Sequence, residues 1–204
     1  MTADPYEPAA GTQLAHLLAH PGVEEECVLR GRFGLMAIHG GNLERGTDVI
    51  AALAAERAGA SLYTVRQPPG LVWHVPSTAF DPVASPHLAA FLAHVDSAVS
   101  VHGFRRGGLS TTLLVGGGNR HLAGRLATGL RSTMGGGFTV LDELEAIPSP
   151  LRGVHLRNPV NLPPGGGAQL ELPPRVRRGT GAPTFREEHE AAVVEALVRV
   201  ALGT

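Results

Sequence analysis

The 204-residue chain contains no lysine: all 17 of its basic side chains are arginines, set against 18 acids for a net charge of −1. So even a balance gives no general attraction to nucleic acid or to an anionic membrane. Any recognition of a carboxylate falls to arginine or histidine. Cysteine is nearly absent as well. Cys27 alone cannot close an internal disulfide and rules out thiolate-based zinc sites, whereas ten histidines remain. Aromatics make up 4% of the chain, with Trp73 the single Trp, too few for a platform on which bases stack. No uninterrupted apolar run approaches the roughly 18 residues of a membrane helix. The first residues, MTADPYEPAAGTQ, carry acids and prolines where a secretory signal needs basic and then apolar residues. The 27 glycines follow no three-residue period, and a mean hydropathy of +0.07 with little net charge is not a disordered composition. The expectation is a soluble, cytoplasmic globular protein, one domain over residues 1–204.

Short runs rich in Val, Ile and Leu alternate with helical patterns, the signature of an α/β protein with a mixed open sheet flanked by helices. Strands are expected at 35–38, 61–65, 71–75, 98–101, 111–115 and 168–172, with 138–140 and 153–156 as strands or loops. Helices are expected over 48–58, with Thr47 as N-cap and Gly59 as stop, over 85–95 from Ser85-Pro86, and over 119–131. A last helix follows a capping box of Thr184 and Glu187, with Val194, Leu197, Val198 and Ala201 on one face.

Two predicted strands end in His followed at once by Gly: His39 in AIHGGNLERGT and His102 in SVHGFRRGG. Ligands gather beyond the carboxyl ends of strands in open α/β sheets, and the glycines would deliver His39, His102 and the loop at Asn119 to one such rim. Glu44 lies five residues after His39, across a Gly-Gly turn that can return its carboxylate toward the imidazole. Two His and one Glu make a catalytic zinc set with a fourth position open. The same residues also read as hydrogen-bonded structural histidines at strand ends. Glu171, the acid of GGGAQLELPP, sits among apolar residues where a carboxyl is raised toward neutrality and suits a general base. Equally, it shares an alternating face with Gln169 and could point to solvent.

IHGGNLERGTDVIA resembles the signature of the poly-gamma-glutamate hydrolase family, some of whose members are labelled phage-related replication proteins. The likeness continues in order through SLYTV, WHVPSTAFDP, SVHGF, LLVGGG and QLEL. The resemblance implies a zinc carboxypeptidase-like fold and one zinc held by His39, Glu44 and His102. It also implies Glu171 as the base that takes a proton from the attacking water and returns it to the leaving amine. Asn42 and Arg45 depart from the pattern at positions that supply no ligand.

An anionic gamma-glutamyl polymer or peptide calls for side chains that bind carboxylate. Arg105 and Arg106 follow His102 directly and are candidates for stabilising an oxyanion or holding a substrate carboxylate. Asn119 and Arg120, behind a triple glycine at a predicted helix start, are candidates for anion binding, and His74, Ser77 and Thr78 for shaping the pocket. The run Arg175, Arg177 and Arg178 could serve the same recognition or equally be an exposed tail of positive charge. The competing reading is a non-catalytic anion-binding module built on the Gly-rich loop and the arginines. That loop lacks the Lys-Ser/Thr of a P-loop, and the chain has neither GxGxxG after a strand nor GxSxG.

Overall fold

Strands whose residues are apolar on both alternating faces need a layer on each side. In the computed structural model, which describes residues 11–177 and 183–204, with side chains of the last helix from Glu187 onward, that requirement is met by three layers. The strands are β1 (Glu24–Val28), β2 (Phe33–Gly41), β3 (Ser61–Gln67), β4 (Ser97–Gly103), β5 (Thr112–Gly116), β6 (Thr139–Leu141) and β7 (Gly167–Leu172). They form one mixed sheet in the order β1-β3-β2-β4-β7-β5-β6. The helices are α1 (Thr12–Leu18), α2 (Thr47–Ala58), α3 (Pro86–His94), α4 (Arg120–Thr133) and α5 (Pro183–Leu202).

The alternation of each central strand decides which layer it feeds. Leu35, Ala37, Val99, Val101, Ala168, Leu170 and Leu172 pack with α2, α4 and α5 in the larger core. Met36, Ile38, Tyr63, Val65 and Ala98 meet Phe91 and Leu88 of α3 and Leu14 and Leu17 of α1 in the second. On α5, Val194, Leu197 and Val198 are buried, as their spacing predicts. Thr184 of the expected capping box falls outside the described side chains. Local signals work where a side chain satisfies a helix end. Ser85 accepts from the Leu88 N–H with Pro86 behind it, Asn119 accepts from the Leu122 N–H, and Gly59 closes α2 at φ 63°.

Three expectations are corrected. Residues 71–75 form no strand, because other partners take their backbone groups: the Gln67 side chain brackets Trp73 N and O, and Asn42 donates to Leu71 O. Gly46, at φ 88°, is the residue before α2, while the Thr47 hydroxyl turns back to donate to Glu44 O. The Asn119 loop lies at the opposite end of the sheet from His39 and His102. β2, β4 and β7 run parallel to one another, but β5 runs antiparallel to β7, so its carboxyl end meets the start of β7, where Asn119 N donates to Gly167 O.

The triple glycine that begins at the last residue of β5 serves close packing. A Cβ on Gly116 would collide with Arg152 O, and one on Gly117 (φ 96°) would sit 2.5 Å from Ala168 Cα. Gly116→Ala is therefore expected to destabilise the fold by roughly 1–3 kcal/mol, as overpacking does. Chemical denaturation would show this as a lowered midpoint; an unchanged midpoint would mean the Arg152 loop yields freely.

Candidate metal centre and substrate cleft

The face of β4 and β7 turned away from α2, α4 and α5 is polar toward its carboxyl end. Ser100 and His102 on β4 pair in register with Gln169 and Glu171 on β7, all four at most 4% exposed. This two-residue periodicity brings a histidine and a carboxyl together from neighbouring strands. His39 arrives from β2, where the pairing with β3 shifts register between Ala37 and Gly40. Such a bulge re-aims side chains. Leu35 and Ala37 face the larger core, yet His39 meets Phe80 of the second one, with ring centroids 5.7 Å apart.

The chain then doubles back. Gly41 takes φ 68°, and a Cβ there would strike the Gln67 backbone, so only glycine lets β2 end this close to β3. Glu44 N donates to His39 O at 2.9 Å, and Glu44 O accepts from the Thr47 hydroxyl at 2.8 Å. The carboxylate is thereby pinned between two imidazoles. Oε1 lies 3.0 Å from His39 Nδ1; Oε2 lies 3.4 Å from His102 Nδ1 and accepts from Gly103 N–H at 2.8 Å. The outer ring nitrogens are also occupied: His39 Nε2–H donates to Val75 O at 2.8 Å, and His102 Nε2 lies 2.9 Å from Ser100 Oγ.

With its Nε2 committed as a donor, neutral His39 presents an Nδ1 lone pair to a carboxylate, an arrangement that calls for a positive charge between them. Without a metal, a proton fills that role. Burial opposes the charge on His39, but the neighbouring Glu44 carboxylate outweighs it and holds the imidazole above its ordinary value. Glu44 in turn is held far below the usual carboxylate range by His39 and His102 despite its burial. A tetrahedral zinc with ligands at about 2.0–2.2 Å separates them by about 3.3–3.5 Å; His102 Nδ1 stands 3.4 Å from Oε2, within that span, and His39 Nδ1 stands closer, 3.0 Å from Oε1. Among the described residues, His39, Glu44 and His74 bring one donor atom each within 4.8 Å of one another, a set that does not include His102, and His74 is exposed. Partial desolvation of the ring, and the nearby imidazolium charge of His39, keep the His74 imidazole below its ordinary value.

Glu171 contrasts with Glu44. Burial first, and the Glu44 charge second, push its carboxyl up to about 7, against the pull of His102 and a hydrogen bond from Gln169. Both acids open into a cleft of about 640 Å³ lined also by His74, Ser77, Thr78 and His155. The cleft thus gathers His39, Glu44, His102, Glu171, His74, Ser77 and Thr78 from the sequence candidates. Arg105 and Arg106 are exposed on the loop leaving β4 and do not line it. Arg120 faces a different cleft between α4 and α5, and its guanidinium donates to the carbonyls of Val115, Gly117 and Asp142, which weakens the anion-module reading. Asn119 is spent on capping α4 and on Gly165 O.

Of the late arginine run, Arg175 is exposed and Arg178 falls outside the described residues. Arg177 is instead 7% exposed, lying where a Cβ on Gly103 would be and donating to Leu172 O and Arg45 O. Sequence reasoning also missed Ser100, Asn158 and the Val75 carbonyl. The S-V-H alternation was the available signal for Ser100; a backbone carbonyl leaves none.

The sequence profile described as poly-gamma-glutamate hydrolase matches residues 13–193. The SPbeta prophage-derived UPF0714 protein YoqZ of Bacillus subtilis (strain 168) is 32% identical over 146 residues, 71% of this chain and 50% of that protein, so the chain spans half the length of this curated relative. A solved structure of a bacteriophage poly-gamma-glutamate hydrolase is 26% identical, with a TM-score of 0.69 over 85% of this chain and 87% of that one. A metallo-carboxypeptidase from Pseudomonas aeruginosa shares the fold at 15% identity and a TM-score of 0.50, over 93% of this chain and 66% of its own.

Proposed function

Because this chain belongs to the poly-gamma-glutamate hydrolase family, we propose that it is a zinc-dependent amidohydrolase that cleaves gamma-glutamyl amide bonds in an anionic polymer or peptide. The observation that carries the proposal is the convergence of two Nδ1 atoms on opposite oxygens of buried Glu44, each ring already tied through its other nitrogen. His39, Glu44 and His102 would hold the metal. Their burial and fixed outer partners favour them over a set that uses exposed His74. Zinc, when bound, supplies a Lewis acid for the amide carbonyl and eases deprotonation of water.

The remaining steps belong to the chain. Glu171, with its carboxyl near neutrality, accepts the proton of the attacking water, whose oxygen bonds the carbonyl carbon. As the C–N bond breaks, Glu171 delivers that proton to the leaving amine. His74, Ser77 and Thr78, across the cleft, offer hydrogen bonds to the reacting group and the substrate backbone. Arg105 and Arg106, outside the cleft, meet carboxylates farther along the polymer, where no lysine competes.

The test is metal analysis of protein purified without chelator, then incubation of the zinc-loaded protein with poly-gamma-glutamate and product sizing. About one zinc per chain and shortened polymer are expected. Absence of zinc, or bound zinc with intact polymer and intact short gamma-glutamyl peptides, overturns the reading. Ser100→Ala, which frees the His102 ring, should weaken zinc binding roughly 10–100-fold in a competition titration.

A further inference from the structure

Behind the carboxyl of Glu171 runs a chain of two buried amides. Gln169 Nε2 donates to Glu171 Oε1 at 2.9 Å, and Asn158 Nδ2 donates to Gln169 Oε1 at 2.8 Å. Asn158 and Gln169 are 3% and 4% exposed, and with Glu171 they line the cleft. The loop wraps closely round this chain. Asn158 Nδ2 also donates to Gly153 O at 3.3 Å, and a Cβ on Gly153 would lie 2.5 Å from Gln169 Oε1.

An amide has a donor end and an acceptor end, and a buried one left unpaired at either end is costly. Since Asn158 offers its NH₂, the carbonyl of Gln169 must turn toward it, and the only group Gln169 can present to Glu171 is a donor. We propose that Gln169, fixed in direction by Asn158, is a positioning residue for Glu171: it ties up Oε1 and leaves Oε2 as the oxygen that faces the reacting water. The proposal rests on the reading of Glu171 as the base. It adds that the 149–158 wall of the cleft and the base are joined through one oriented side chain, so displacing the wall displaces the working oxygen.

The variants separate direction from packing. Asn158→Asp keeps an acceptor for Val160 N–H but cannot donate, so Gln169 must turn its NH₂ toward Asp and its carbonyl toward Glu171. Asn158→Ala removes the loop contacts yet forces no reversal. If orientation matters, Asn158→Asp and the apolar near-isostere Gln169→Leu lower kcat roughly 10–100-fold with KM and zinc content little changed, and Asn158→Ala costs less than Asn158→Asp. If only packing matters, Ala is the worse of the two, and that order overturns the proposal, as does unchanged kcat in Gln169→Leu.

A second readout needs no turnover. The Gln169 side-chain NH₂ resonances, identified by their loss in Gln169→Leu, should move in both Glu171→Gln and Asn158→Asp. Resonances indifferent to both changes refute the hydrogen-bonded chain. A wild-type protein inert toward gamma-glutamyl substrates, or a Glu171→Gln variant as active as wild type, instead removes the functional reading, while the resonances still judge the amide chain.

Discussion

Replacing Glu171 with Gln should lower kcat by roughly 10²–10⁴ while leaving zinc in place, the usual span for loss of a general base. The argument runs from burial. At 4% exposure between Leu170 and Leu172, the carboxyl of the metal-free protein is pushed up to about 7, which makes it basic enough to take a proton. The wild-type kcat/KM should therefore rise with pH through the ionisation of Glu171, and the variant's residual activity should lack that limb.

Stability moves the other way. A carboxyl raised in the fold contributes stability that is complete below its ordinary 4.5 and is lost as pH rises through about 7. The metal-free Glu171→Gln protein should match wild type at pH 4 and exceed it at pH 8, by at most about 3 kcal/mol. A variant that is inactive and less stable at pH 8 would point to disrupted packing rather than a lost base.

How much of this was legible beforehand depended on whether the signal was local. The H-G-G-x-x-E segment carries its meaning in sequence, because Gly41 and Gly46 fold it back within a few residues and Glu44 bonds its own neighbours. Alternation in β4 and β7 was equally readable: S-x-H and Q-x-E put the polar residues on one face. The misplaced Asn119 loop shows what alternation omits, since strand direction depends on which strand β5 pairs with, and nothing within 112–116 encodes it. β1 escaped notice because three acids in Glu24–Val28 interrupt the apolar pattern that marks a strand. Their charges are answered across the sheet, Glu24 and Glu26 by Arg66 and Glu25 by Tyr63, and Glu25 also by Ser85 at the start of α3. Arg177 was misread for the same reason: its burial follows from the missing side chain of Gly103, some seventy residues away.

His39→Ala should abolish stoichiometric zinc binding and lower activity by a further comparable factor, roughly 10²–10⁴, the several kcal/mol that a Lewis acid contributes. Its effect on the metal-free fold should be large too. Glu44 is 8% exposed and paired with His39 at 3.0 Å; breaking a buried pair from one side costs about 3–5 kcal/mol. His102 and Gly103 N–H still face the carboxylate, which places the expected loss toward the lower end. Zinc then gives the sharper contrast. At 100 times its dissociation constant a ligand that binds only the native state adds about 2.7 kcal/mol, or about 5–11 °C of Tm for a chain of this length. Wild-type protein should show that rise and His39→Ala none, read by calorimetry with and without zinc. His102→Ala should follow His39→Ala, and His74→Ala should keep most of the rise. The reverse order for the last two would move the third ligand to His74, whose donor atom also lies within reach of His39 and Glu44.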